Sequence, residues 1–132
     1  MKRQILLLPL LVLISSLAFA FANPAGKYVG TWVGLQSDGG IKIALAPAAA
    51  KGEWTADVSF TLGEQEVKCK TVSIKVDGDK LDLAYEFNIG GLQATSTVAG
   101  KFDGAKLEGT YSTKSAEGAA VDQGTFKTAL EK

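Results

Sequence analysis

The chain has 132 residues, with 14 basic and 14 acidic side chains for a formal net charge of zero, no histidine and one cysteine. That length suits a single domain. The scattered, balanced charge argues against nucleic acid as a partner, since its binders carry a basic stripe, and without histidine the commonest general acid–base group and metal ligand is missing.

The N-terminal stretch does not read as part of a fold. Lys2 and Arg3 precede the apolar run Ile5–Ile14, broken only by Pro9, and small residues follow up to Ala20-Phe21-Ala22. A basic start, an apolar middle and an A-x-A site make a secretory signal peptide. The run is shorter than the roughly 20 residues a spanning helix needs. Residues 1–22 are therefore expected to be removed. Residues 23–132 remain as one small domain, periplasmic or secreted and not inserted in a membrane. Loss of Lys2 and Arg3 takes the 14 basic residues to 12 against 14 acidic ones, a net charge of −2, and leaves no arginine. A phosphate or carboxylate then has no bidentate clamp. Cys69 has no partner for an internal disulfide and is expected to be a small buried hydrophobe.

Turn signals then recur roughly every 12–14 residues, as in an all-β chain. They fall at Ser37-Asp38-Gly39-Gly40, Pro47–Gly52, Gly63-Glu64, Asp77-Gly78-Asp79, Gly90-Gly91, Asp103-Gly104 and Glu117-Gly118. Eight strand-like segments lie between and around them. The first carries Gly30-Thr31-Trp32. The third, Glu53–Leu62, puts Trp54, Ala56, Val58, Phe60 and Leu62 on one face and Glu53, Thr55, Asp57, Ser59 and Thr61 on the other. This period of two is that of a half-buried strand. The fourth, Gln65–Val76, changes phase: Val67 and Cys69 are odd, Val72, Ile74 and Val76 even. A β-bulge near Lys70-Thr71 accounts for the change. The fifth, Lys80–Ile89, turns Leu81, Leu83, Tyr85, Phe87 and Ile89 inward. Leu92, Ala94, Ser96, Val98, Gly100 and Phe102 follow in the sixth, and Leu107, Gly109, Tyr111 and Thr113 in the seventh. Phe126 and Leu130 are the inward candidates of the last, Ala120–Leu130. Ala48-Ala49-Ala50 is the only candidate for a helical turn.

The stretch Val76–Asp82 resembles Phe102–Glu108, as reuse of one hairpin turn or as duplication of a two-strand unit. Short, regular hairpins favour an up-and-down meander. Closure removes the exposed edges such a meander would leave. The fold is therefore expected to be all-β, an eight-stranded antiparallel up-and-down barrel, with a two-sheet β-sandwich as the alternative. Lys, Asp, Glu and Thr line one face of each strand, so the apolar face is the interior, unlike a membrane barrel.

Gly30-Thr31-Trp32 resembles the opening of lipocalins and their calycin relatives, the avidins among them. Gly52-Glu53-Trp54-Thr55 is similar to the way avidins open their second strand. The resemblance implies a calycin-like barrel in which Trp32 plugs one end and the open end holds a small apolar ligand. The inward pattern gives that ligand candidate contacts. Ala94, Ser96, Gly100 and Gly109 are small residues beside Tyr85, Phe87 and Trp54. Small beside large is either interdigitated packing or an aromatic-lined cavity. The candidate ligand-binding residues are Trp54, Tyr85, Phe87, Tyr111 and Ser96.

Catalytic constellations are not found in the sequence. Ser-His-Asp and Cys-His arrangements need histidine. Asp77, Asp79 and Asp82 sit at a turn and on a solvent face, where the ordinary role is solvation. No catalytic residue, metal ligand or cofactor motif is assigned. The sequence is read as a non-catalytic binding protein holding a small apolar ligand. The alternative is a solid-core interaction or inhibitor module that meets a protein partner through Pro47–Lys51 and Asn23–Lys27. A cavity separates the two.

Overall fold

The structure, a computed structural model, describes residues 24–49 and 52–131. The expected signal peptide, Asn23, Ala50 and Lys51 lie outside the described residues. Among those described, nine strands form: β1 (Gly26–Val33), β2 (Asp38–Pro47), β3 (Trp54–Leu62), β4 (Gln65–Lys68), β5 (Lys70–Asp77), β6 (Lys80–Ile89), β7 (Leu92–Asp103), β8 (Lys106–Ser115) and β9 (Ala120–Leu130). No helix occurs among these residues, Ala48 and Ala49 included.

The strands make one antiparallel sheet in the order β4-β3-β2-β1-β9-β8-β7-β6-β5. Apart from β4 and β5, which stand at the two edges, strands adjacent in sequence pair, and β1 joins β9, so the chain is an up-and-down meander whose first and last strands pair. The sheet curls into a nearly closed barrel. The ninth strand arises where the expected fourth segment breaks at Cys69. Its first half, β4, pairs with β3 from Ser59↔Lys68 to Leu62↔Gln65. Its second half, β5, pairs with β6 from Lys70↔Glu86 to Asp77↔Lys80. One stretch of chain thus supplies both edges of the sheet. The Cys69 backbone N–H donates to the Val58 carbonyl at 3.0 Å, and the Thr71 hydroxyl donates to the Ala56 carbonyl at 2.7 Å. These two bonds stitch the seam.

The expected bulge is present, with the register against β6 shifting between Thr71 and Ser73. Val72 is the residue left over, and it is 56 % exposed rather than inward. Alternation cannot carry through an extra residue. Two other inward expectations also fail. Leu92 and Leu130 are exposed, because each lies at a strand end where the barrel wall gives out.

Elsewhere alternation holds. Tyr28, Ile43, Leu45, Val58, Leu81, Leu83, Val98, Leu107 and Phe126 are buried and form one core with Trp32, Ile41 and Tyr85. At the end of the barrel where the chain enters, Tyr28 packs on Phe102 with ring centroids 5.7 Å apart. Its hydroxyl donates to the Pro24 carbonyl at 2.8 Å, within the buried region. Pro24 is itself buried, so the first described residues cover part of this end.

Gly30 explains one constraint of the Gly-x-Trp spacing. A Cβ there would run into the Lys127 carbonyl oxygen of β9 and stand 2.7 Å from the Thr128 Cα. The glycine lets β1 lie close against β9, and Trp32 enters the core two residues later. The recurring turn is also explained. Gly78 and Gly104 have φ of +61° and +60° as the first residues of two-residue loops. The residues after them have no positive φ, which fits type II′ hairpins.

Candidate functional site

The meander gives the barrel two kinds of rim. Odd-numbered turns (34–37, 63–64, 90–91 and 116–119) gather at one end, and even-numbered turns with both chain ends gather at the other. A cavity of about 360 Å³ opens at the odd-turn end. Its aromatic wall comes from Trp32 near the end of β1, Phe60 near the end of β3, Tyr85 and Phe87 on β6, and Tyr111 on β8. Trp32 meets Phe60 and Tyr111 edge-on, at 6.0 Å and 6.2 Å between centroids. Phe60 meets Phe87 edge-on at 5.0 Å. Each such pair adds about 0.5–1.5 kcal/mol beyond area burial. The wall is therefore fixed by ring-on-ring contacts. Ile41, Leu62, Ile89 and Ala94 fill in between.

Two polar clusters interrupt this apolar lining, and Gln36 and Ser37 add polar side chains from the β1–β2 loop. Deep on β7 and β8, Ser96 and Thr113 face each other in register, and their hydroxyls hydrogen-bond at 2.5 Å. Both residues are buried. Tyr85 lies beside Ser96; burial pushes its hydroxyl above the usual phenol range, the Cys69 thiol adds to this, and the bond with Ser96 opposes it. At the mouth, the Tyr111 hydroxyl donates to Asp122 Oδ2 at 2.8 Å. Asp122 Oδ1 accepts the Leu35 backbone N–H at 2.9 Å, tying the β1–β2 loop to β9. Burial first, and Asp122 second, raise the Tyr111 hydroxyl. The indole N–H of Trp32 donates to the Thr61 carbonyl at 3.1 Å, which fixes the ring against β3. Leu35, Leu92 and Val121 stand exposed around the opening.

Of the residues expected at the site, Tyr85, Phe87, Tyr111 and Ser96 come together on this cavity, and Trp54 does not. Trp54 pairs with Pro47 at the even-turn end, near Pro24, Val76 and Phe102. Six residues of strand separate it from Phe60, about 20 Å at the usual rise. Trp32 departs from the resemblance in the other direction, since it lines the cavity at the odd-turn end rather than plugging the far one. A signal for this was present in the turns. Trp54 follows the second turn, whereas Trp32, Phe60 and Phe87 precede the first, third and fifth, so height along the barrel could have been counted. Asp122 carried no such signal, because its role comes from reaching a loop 87 residues away.

Cys69 is half-buried against the core. Burial, then the Asp57 carboxylate, push its thiol up to about 12. At neutral pH it holds its proton, and the thiolate is the nucleophile. Among the described residues no group of three or more His, Cys, Asp or Glu side chains is placed to hold a metal ion. No helix among them is long and apolar enough to cross a membrane. The sequence matches no family model and no curated protein.

Proposed function

We propose that the chain is an exported, non-catalytic binding protein whose calycin-like barrel holds one small apolar molecule in the cavity beside Trp32. The cavity carries this reading. Its volume of about 360 Å³ lies within the roughly 300–1,000 Å³ of small-molecule sites. Its wall is aromatic, with a few convergent hydroxyls, which is the usual make-up of such a site. A solid-core interaction module would give no reason for the gap, because protein interiors otherwise pack with few voids larger than a water. Burial of the ligand's apolar surface, at about 25 cal/mol per Å², supplies the attraction. The aromatic pairs and the Asp122 tie keep the site formed beforehand, so little ordering cost is left to binding.

Export and binding are tested on one sample. The full chain is expressed in a secreting host and the exported protein is weighed under native and denaturing conditions. The denatured mass should begin at Asn23. The native mass should exceed it by an amount on the order of a few hundred daltons, the size of ligand such cavities take. Ala94→Phe, which fills the cavity from its wall, should abolish the excess, and Leu92→Asp at the exposed rim should reduce it without touching the core. A bare native mass that stays bare after incubation with decanol would turn the assignment to the interaction module.

A further inference from the structure

We infer that the cavity discriminates by charge: its ligand is an apolar molecule bearing a neutral or cationic hydrogen-bond donor at the mouth, and anionic amphiphiles are refused. This rests on the cavity being a binding site. Among the described residues that line it, none is Lys or Arg. Lys42 on β2 and Lys114 on β8 are exposed, on the outward phase of their strands. The one ionisable carboxylate in the lining is Asp122. A ligand carboxylate placed inside would find no cation to make a charge-assisted bond.

Asp122 is held where it stands. Its two oxygens each accept one bond, from Leu35 N–H and from the Tyr111 hydroxyl. Gly34 backs directly onto it, where a Cβ would stand 2.6 Å from the Tyr111 hydroxyl. The two bonds hold the carboxylate in the lining at the mouth. It also keeps acceptor capacity, since a carboxylate offers about four lone-pair sites and two are used. A hydroxyl or ammonium at the mouth can donate to one of the others. Deeper in, the surroundings already disfavour negative charge, as the raised hydroxyl of Tyr85 indicates. The Ser96–Thr113 pair spends one of its two hydroxyl protons internally. It can offer one donor at most to a group that reaches it, and further side-chain donors of the lining, Gln36 and Ser37 on the β1–β2 loop, are neutral and exposed to water.

The test uses three probes with one tail and different heads: decanol, decylamine and decanoate, titrated calorimetrically into the exported protein at about pH 7, where the amine is a cation and the acid an anion. Decanol and decylamine should bind one per chain, with decanoate weaker than decanol by at least roughly tenfold. Asp122→Asn should cancel any lead of decylamine over decanol. Val121→Lys, on the exposed rim, supplies the missing cation and should raise decanoate affinity by roughly tenfold without disturbing the core. Decanoate binding as tightly as decanol to the unaltered protein would overturn the charge selection and leave the cavity as a binding site. Failure of all three probes would overturn the binding site itself.

Discussion

Raising the pH above about 9 should destabilise the domain progressively, because its buried hydroxyls and thiol hold their protons only while it is folded. All three tyrosines are raised above the ordinary value of 10.0. Cys69 is raised from 9.0 to about 12. A raised folded value means that the folded chain binds more protons than the unfolded one in this range. The stabilisation is complete below pH 9.0, the ordinary value of the thiol, and is lost as pH climbs towards the folded values. Tyr85, 4 % exposed, should cost about 1.4 kcal/mol for each pH unit above its unfolded value. Tyr111 and Cys69 are partly exposed and contribute less, since solvent screens them. Urea unfolding midpoints measured between about pH 8 and pH 11 should fall steeply, and those of Tyr85→Phe should fall less. Identical slopes for the two proteins would show that Tyr85 is not held as described.

The second large effect concerns Gly30. Gly30→Ala should destabilise the domain by about 3 kcal/mol, the upper end of ordinary overpacking costs. The new methyl meets backbone on β9, the Lys127 carbonyl and the Thr128 Cα, rather than a side chain that could move aside. Relief requires β1 and β9 to separate, and their register sets Trp32 opposite Phe126. Gly40→Ala is the control. Its Cβ would come no closer than 3.4 Å to the Thr61 hydroxyl, an ordinary contact. Removal of a glycine from a strand is mildly favourable, by about 0.5–1 kcal/mol. The two alanine variants should therefore move the thermal midpoint in opposite directions. A Gly30→Ala protein as stable as the Gly40→Ala protein would mean that β1 and β9 do not approach as closely as described.

Much of this architecture is legible in the residues. Turn chemistry marks most of the connections, because Asp-Gly and Gly-Gly supply backbone angles that other residues avoid. The first turn, however, falls at 34–37, ahead of the Ser37–Gly40 signal whose Asp38, Gly39 and Gly40 belong to β2, and the break at Cys69 carries no turn residue. Alternation assigns faces wherever a strand runs unbroken, as from Leu81 to Phe87. It fails at Val72, where an extra residue resets the phase, and at Leu92 and Leu130, where the wall ends. Faces are also all that alternation reports. Trp54 and Phe60 share a face and lie at opposite ends, so a site built from inward aromatics alone mixes the two ends. Asp122 is the hardest to read. A lone acid near the start of the last strand looks like an ordinary solvated charge until the fold brings Leu35 and Tyr111 to it.

The two tryptophans mark the two ends of the barrel, and this allows a direct test of the proposed ligand position. Their indole N–H resonances can be followed by NMR while decanol is titrated into the protein. The Trp32 signal should shift and saturate at one decanol per chain, with Trp54 unmoved. A shift of Trp54 alone, or no shift of Trp32 at saturating decanol, would contradict a binding cavity at the Trp32 end.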